Sequence, residues 1–248
     1  MTIFLAGGEP AAPYQQAHDR FADEARARGT RVAVAVEGDQ DGAAELVPAY
    51  AEPVLRRWPE AQIEPVRLVG ADTVWPDDAE SFAGIVVAGE HTSTVLESLR
   101  PVRPVLARLI RQGVPYFGYS AGVSAVARHA ILGGWRHHGR QIAPEAASEG
   151  LDELALADGL GLIGVTTQAH GDVAGLLDRA VTALLVGPTI AVVVLDEGVC
   201  LAVSSVSGAT RGFGEGRLAW LARHGDQVII RAERVGAHPN EALPHLAV

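Results

Sequence analysis

The chain contains no lysine: all twenty of its cationic side chains are arginine. That excludes a lysine Schiff base, a phosphate-binding loop of the lysine type and lysine as a general base. Cysteine occurs once, Cys200 in the apolar run GVCLAV, so no internal disulfide can form. A small buried core residue in a reduced compartment is expected there. No apolar run reaches the roughly 18 residues of a membrane span, and no basic-then-apolar segment opens the chain. A cytoplasmic location is therefore expected. Positive charge is also short. Thirty acidic side chains against twenty cationic ones leave a formal net charge of −10. That argues against nucleic acid and against anionic membrane surfaces, both of which need basic clusters. Aromatic residues are only 5% of the chain, while Ala, Gly and Val are abundant, so a tightly packed aliphatic core is expected.

What is present is a globular composition, 48% apolar and 20% charged over 248 residues, enough to bury one sizeable core. Short apolar runs alternate with amphipathic stretches. TIFLAGG, RVAVAV, QIEPVRLV, GIVVAG, GLIGVTT and TIAVVVL read as strands. The stretch from Tyr14 to Arg28 and the run VRPVLARLIRQG up to Gly113 read as helices. AAELVPAYAEPVLRRW reads as one helix or two broken by Pro48 and Pro53. Asp196-Glu197-Gly198, between TIAVVVL and VCLAVSS, reads as a hairpin turn. The alternation predicts an α/β fold with a mostly parallel sheet covered by helices on both faces. One domain over residues 1–235 and a loose tail over 236–248 are expected.

In such a sheet, ligands gather beyond the carboxyl ends of the strands. Gly118-Tyr119-Ser120-Ala121-Gly122 lies where an apolar strand must turn into a small-residue helix. The pattern G-x-S-x-G at that junction fits a nucleophile elbow, with Ser120 projected and the Ala121 N–H facing a developing oxyanion. Read plainly, the same residues make a tight turn. VVAGEH offers Gly89 at a neighbouring strand end, where a backbone N–H could supply a second oxyanion donor. A serine nucleophile needs a base, and nine histidines compete. His18 and His129 lie within helical patterns, where solvated histidines are expected, and His224, His238 and His245 sit in polar or terminal segments. The His137-His138 pair has no carboxylates at ligand spacing, so no metal and no cofactor are expected. His170, in VTTQAHGD, follows a strand and falls at the same sheet edge as Ser120.

These residues, in this order, resemble the serine peptidases that include aspartyl dipeptidase (dipeptidase E) and cyanophycinase. Gly118 to Gly122 match that family's elbow, Ala88-Gly89-Glu90 its strand-end motif, and Gly159 to Ile163 followed by His170 its histidine segment. Gly175 and Arg179 match the glycine and arginine beyond it. The resemblance implies a flavodoxin-like three-layer sandwich of the class I glutamine amidotransferase-like kind. Serine in place of cysteine at the elbow argues against glutaminase chemistry. The family's acid is expected shortly after the helix that follows the serine, yet GGWRHHGR there holds no carboxylate. Glu145 is the expected substitute, with Glu149 and Asp152 as alternatives. Val173, Ala174 and Leu176 stand where cyanophycinase is polar or basic, so cyanophycin is not the expected substrate.

The expectation is a serine hydrolase of small peptides or amides, monomeric or homodimeric, with Ser120 as nucleophile and His170 as base. Gly89 and Ala121 would hold the oxyanion, and Glu90 and Arg179 would contact substrate. Arg179 on a solvent-facing helix is the bland alternative. A rival is a non-catalytic or repurposed member of the same fold that binds a small molecule. An α/β-hydrolase esterase, with His224 or His238 as base, is the other; no HGGG-type loop supports it.

Overall fold

A computed structural model describes residues 2–236 except Ala174. The expected tail lies, from residue 237 onward, outside the described residues. In the first half of the chain strands and helices largely alternate, with β3 passing to β4 without an α-helix and α3 followed directly by α4: β1 (Thr2–Ala6), α1 (Gln15–Arg26), β2 (Arg31–Glu37), α2 (Gln40–Arg57), β3 (Gln62–Leu68), β4 (Gly84–Gly89), α3 (Thr92–Leu99), α4 (Arg103–Gln112), β5 (Tyr116–Ser120) and α5 (Ala121–Ala125). The second half is mostly strand: β6 (His129–Gly133), β7 (Arg136–His137), β8 (Arg140–Gln141), β9 (Ala155–Asp158) and β10 (Thr166–Gln168), then α6 (Leu176–Val186), β11 (Ala191–Leu195), β12 (Val199–Ser204), β13 (Thr210–Gly214), β14 (Gly216–His224) and β15 (Gln227–Val235).

The central sheet has seven strands in the order β13-β12-β1-β5-β4-β2-β3. The five from β1 to β3 are parallel; β12 runs antiparallel to β1, and β13 to β12. Alternate side chains of these strands feed two cores. Phe4, Val34, Val86 and Phe117 pack with Phe21 of α1 and Tyr50 and Val54 of α2 on one face. Ile3, Ala35, Ile85 and Tyr116 pack with Val95 and Leu99 of α3, Leu109 of α4 and Val123 of α5 on the other. The molecule is thus a three-layer α/β sandwich, as expected from strands buried on both faces. β3 lies at the edge, where Pro65 removes no interior ladder bond.

A second sheet, ordered β10-β11-β14-β15, joins this core. Val193, Leu195 and Leu218 point into the same cluster as Leu5 and Leu201. Val192, Val194 and Leu221 face α6 through Ala180 and Leu184. β10 and β11 are parallel, so their carboxyl ends lie together.

The fold decides three points of the sequence reading. First, of the alternatives of one helix or two, α2 is one, running unbroken through Pro48 and Pro53. The carbonyls that lose a donor belong to Ala44 and Ala49, both exposed and open to water, while Ala51 and Val54 anchor the helix in the core. Second, α5 ends after five residues, because tertiary partners take its last carbonyls: Leu160 N–H donates to Ala125 O at 2.9 Å and Leu162 N–H to Val126 O at 2.9 Å. His129 therefore begins a strand instead of continuing a helix. Third, Asp196-Glu197-Gly198 is no hairpin. β11 pairs with β10 and β14, whereas β12 pairs with β1 and β13, so these residues carry the chain from one sheet to the other.

Candidate active site

Ser120 ends β5 with φ 48° and ψ −112°, a conformation that L-residues avoid unless their surroundings enforce it. Backbone proximity explains its flanking glycines. A Cβ on Gly118 would lie 2.7 Å from Gly122 O, and a Cβ on Gly122 would collide with Val87 O in the neighbouring strand. Two side chains clamp the turn from below, with the Tyr116 hydroxyl donating to Gly122 O and the Thr167 hydroxyl to Val123 O, each at 2.8 Å.

His170 follows β10 and also has positive φ, 56°. Its backbone is pinned between the sheets: His170 N–H donates to Gly7 O at 2.8 Å, and Gly171 N–H to Leu195 O at 2.7 Å. The ring then reaches Ser120, Nε2 lying 2.9 Å from Oγ. On its other side, Nδ1 lies 2.8 Å from Oε1 of Glu197. A proton on Nδ1 facing this carboxylate leaves Nε2 as the acceptor for the serine hydroxyl. Glu197 is itself placed by its N–H, which donates to Asp172 Oδ1 at 3.0 Å.

The carboxylate that meets His170 therefore comes from the crossing between the sheets and is not the expected Glu145. Glu145 is exposed at the start of the short 3₁₀ helix Glu145–Ala147. Glu149 binds Thr92, and Asp152 accepts from Trp135 Nε1 at 3.2 Å. Nothing in the local sequence marks Glu197. An acid followed by glycine between two apolar runs is what a hairpin turn looks like.

Gly89 is the register partner of Ser120. A Cβ there would lie 2.7 Å from Oε2 of Glu37, so the glycine makes room for a side chain that sequence reasoning missed. Glu37, only 12% exposed, accepts from Glu90 N–H and His91 N–H at 2.7 Å each and faces His91 Nδ1 at 2.9 Å. It locks the loop that leads from β4 into α3. The Glu90 side chain borders the cleft beside Ser120.

That cleft encloses about 360 Å³ and is lined by Ser120, His170, Thr92, Glu149, Leu176 and Arg179, among others. Arg179 does not face solvent: it is 3% exposed. Its Nε donates to Gln168 Oε1 at 3.1 Å and its Nη1 to Ala147 O at 2.6 Å. Burial pulls its pKa down, and Glu149 partly restores it. Glu149 has positive φ, 54°, and its Oε2 accepts the Thr92 N–H at 2.6 Å. Burial pushes its carboxyl up to about 7, against the opposing pull of Thr92, Arg179 and His91.

The remaining histidines are accounted for differently. His18 is buried in α1, with Nε2 2.8 Å from the Tyr119 hydroxyl, and desolvation pushes its pKa down to about 3. His224 closes β14 opposite Gln227, while His238 and His245 lie outside the described residues. His137 and His138 lie in contact, ring centroids 4.2 Å apart and planes tilted by 50°. Among the described residues no group of three or more His, Cys, Asp or Glu is placed to hold a metal ion. No helix among them is long and apolar enough to cross a membrane.

Fold and site together define a class: a three-layer α/β sandwich with a serine–histidine–glutamate chain beyond the carboxyl ends of its strands. The chain matches no protein-family model and no curated protein. Among solved structures it is similar to the crystal structure of a peptidase from an acI-B1 actinobacterium. The TM-score is 0.66 over 94% of this chain and 96% of that one, at 13% sequence identity. At that identity the likeness shows the fold.

Proposed function

We propose that the protein is a serine hydrolase that cleaves small peptides or amides. The observation that carries this reading is the hydrogen-bonded chain from Ser120 Oγ through His170 to Glu197, built on a serine held at φ 48°. Ser120 Oγ attacks the scissile carbonyl carbon while its proton passes to His170 Nε2. Glu197 keeps the ring oriented and stabilises the imidazolium. The Ala121 N–H is the candidate for the oxyanion: Glu37 takes the N–H groups of Glu90 and His91, and the β4–β5 ladder, in register from Ile85 N–H on Pro115 O, turns that of Gly89 toward Tyr119 O. Collapse breaks the C–N bond, the amine leaves with the proton from His170, and water then hydrolyses the acyl-serine by the same proton route.

That the structural neighbour is a peptidase agrees with this reading. The finer form, a dipeptidase E-like enzyme, draws its support from the elbow at Gly118 to Gly122 and from Gly159 to Ile163 leading into His170. A cleft of about 360 Å³ suits a one- or two-residue substrate better than a long polymer. With Glu197 on His170, the rival reading of a catalytically silent member loses its main argument, the missing acid. Fluorophosphonate labelling tests the proposal. Stoichiometric modification of Ser120, abolished in Ser120→Ala, together with hydrolysis of a dipeptide panel, is the expected result. A protein that turns over substrate equally well as Ser120→Ala would sink it.

A further inference from the structure

The polar wall of the cleft holds two groups that the proton route does not use, Glu149 and Arg179. We propose that Glu149 determines specificity: its carboxylate, on the same cleft wall as Arg179, offsets that charge, so that at mildly alkaline pH the cleft takes an uncharged polar side chain in preference to an anionic one. This rests on the reading of the cleft as the substrate site and deepens it.

Three observations support the assignment. Glu149 is held in a left-handed backbone conformation, which a glutamate adopts only under constraint. The constraint directs its carboxylate onto the Thr92 N–H at the start of α3 and into the wall of the cleft. A helix cap alone would be served by an uncharged acceptor, and Thr92 Oγ1, at 3.3 Å from Oε1, adds only a weak second contact. Arg179, in turn, has Nε on Gln168 and Nη1 on the Ala147 carbonyl. Its guanidinium is thus partly committed, and Glu149 is the carboxylate that acts on its charge. The other charged or titratable neighbours are His91, which acts on Glu149, and Glu90 and His170, which line the same cleft. One ionised carboxylate against one partly committed arginine leaves little attraction for an anionic side chain.

The carboxyl of Glu149 titrates at about 7, which supplies the sign of a pH test. Above that value the ionised carboxylate cancels Arg179; below it the protonated form leaves the guanidinium charge uncompensated, and an anionic side chain gains. Binding of Asn-Leu and Asp-Leu, isosteric dipeptides differing in one charge, is to be measured by calorimetry in a Ser120→Ala background, where no turnover intervenes. At pH 8 Asn-Leu should bind about tenfold more tightly, the scale of one screened charge at cleft distances. The ratio should narrow toward pH 5.5, where the aspartate ligand is still ionised. Adding Glu149→Gln, which keeps an acceptor for Thr92, should hold the ratio at its low-pH value throughout.

Asp-Leu binding as tightly as Asn-Leu at pH 8, a ratio unmoved by both pH and Glu149→Gln, or no binding of either dipeptide would overturn the inference. The pH series needs no change at Glu149, so a misfolded variant does not mask the answer. Loss of this inference alone leaves Ser120 labelling intact, whereas failure of the hydrolase reading shows in the labelling itself.

Discussion

Two histidine–glutamate pairs stand on either side of Ser120 at the same sheet edge, and they do different things. His170 meets Glu197 through Nδ1 at 2.8 Å, and His91 meets Glu37 through Nδ1 at 2.9 Å. By distance alone they are indistinguishable. The difference lies in the third partner. Nε2 of His170 touches Ser120 Oγ, whereas Glu37 spends its second oxygen on two backbone N–H groups of its own loop. Exposure follows role: Glu197 is 53% exposed and Glu37 12%. One pair is the proposed proton route, and the other fixes backbone. A histidine–carboxylate contact by itself does not identify a base.

The largest effect that separates the pairs is on turnover. Ser120→Ala or His170→Ala should lower kcat/KM by about 10⁴-fold or more, while His91→Ala should lower it by less than about tenfold; dipeptide kinetics with circular dichroism as a fold control measure both. Equal losses for the two histidines would erase the distinction. Glu197→Gln should follow, at roughly 10²- to 10³-fold in kcat. That is less than the loss for a buried triad acid, because water can reach this half-exposed side chain.

Glu37 should act on stability more than on chemistry. Glu37→Ala strands the N–H groups of Glu90 and His91, and a loss of about 1–3 kcal/mol in urea unfolding is expected. Glu197→Ala, at an exposed position, should change unfolding by much less. If Glu37→Ala left stability unchanged, its role as a backbone anchor would fail.

Near neutral pH the smallest effect belongs to a third histidine, one that has no carboxylate. His18 is 2% exposed, with its Nδ1 lacking a hydrogen-bond partner among the described residues. Its folded pKa of about 3 lies below the unfolded value near 6.5. Between these values the unfolded chain binds the extra proton, so stability falls as pH drops from about 6.5 toward 3. The contribution to the slope is at most about 1.4 kcal/mol per pH unit. Denaturant unfolding of His18→Phe across that window should show a pH dependence shallower by about one proton.

Much of this was legible in the residues. The strands around Val32–Val36 and Ile85–Ala88 are continuous apolar runs, and their periodic alternation with helices indicates a parallel sheet before any contact is known. The elbow was legible for the same reason: the need for glycine at 118 and 122 is a local backbone constraint, and His170 at a strand end follows from element order. Glu197 was not legible. Its strand neighbours are consecutive and apolar, as in a hairpin, and the choice to send β11 to one sheet and β12 to another is made by side chains far away, at Leu5, Val193 and Leu201. Glu37 was hidden likewise, because it ends a strand 53 residues before the Glu90 N–H it holds. The burial of Arg179 depended on where α6 packs.

The sequence by itself thus determined the elements, the layered architecture and the two residues whose positions follow from local geometry, Ser120 and His170. Tertiary structure alone decided which carboxylate reaches His170 and which glutamates face the loop and the cleft. Strand and helix formation is governed by neighbours in the chain, whereas strand pairing, and with it the company each strand end keeps, is governed by burial summed over the whole core.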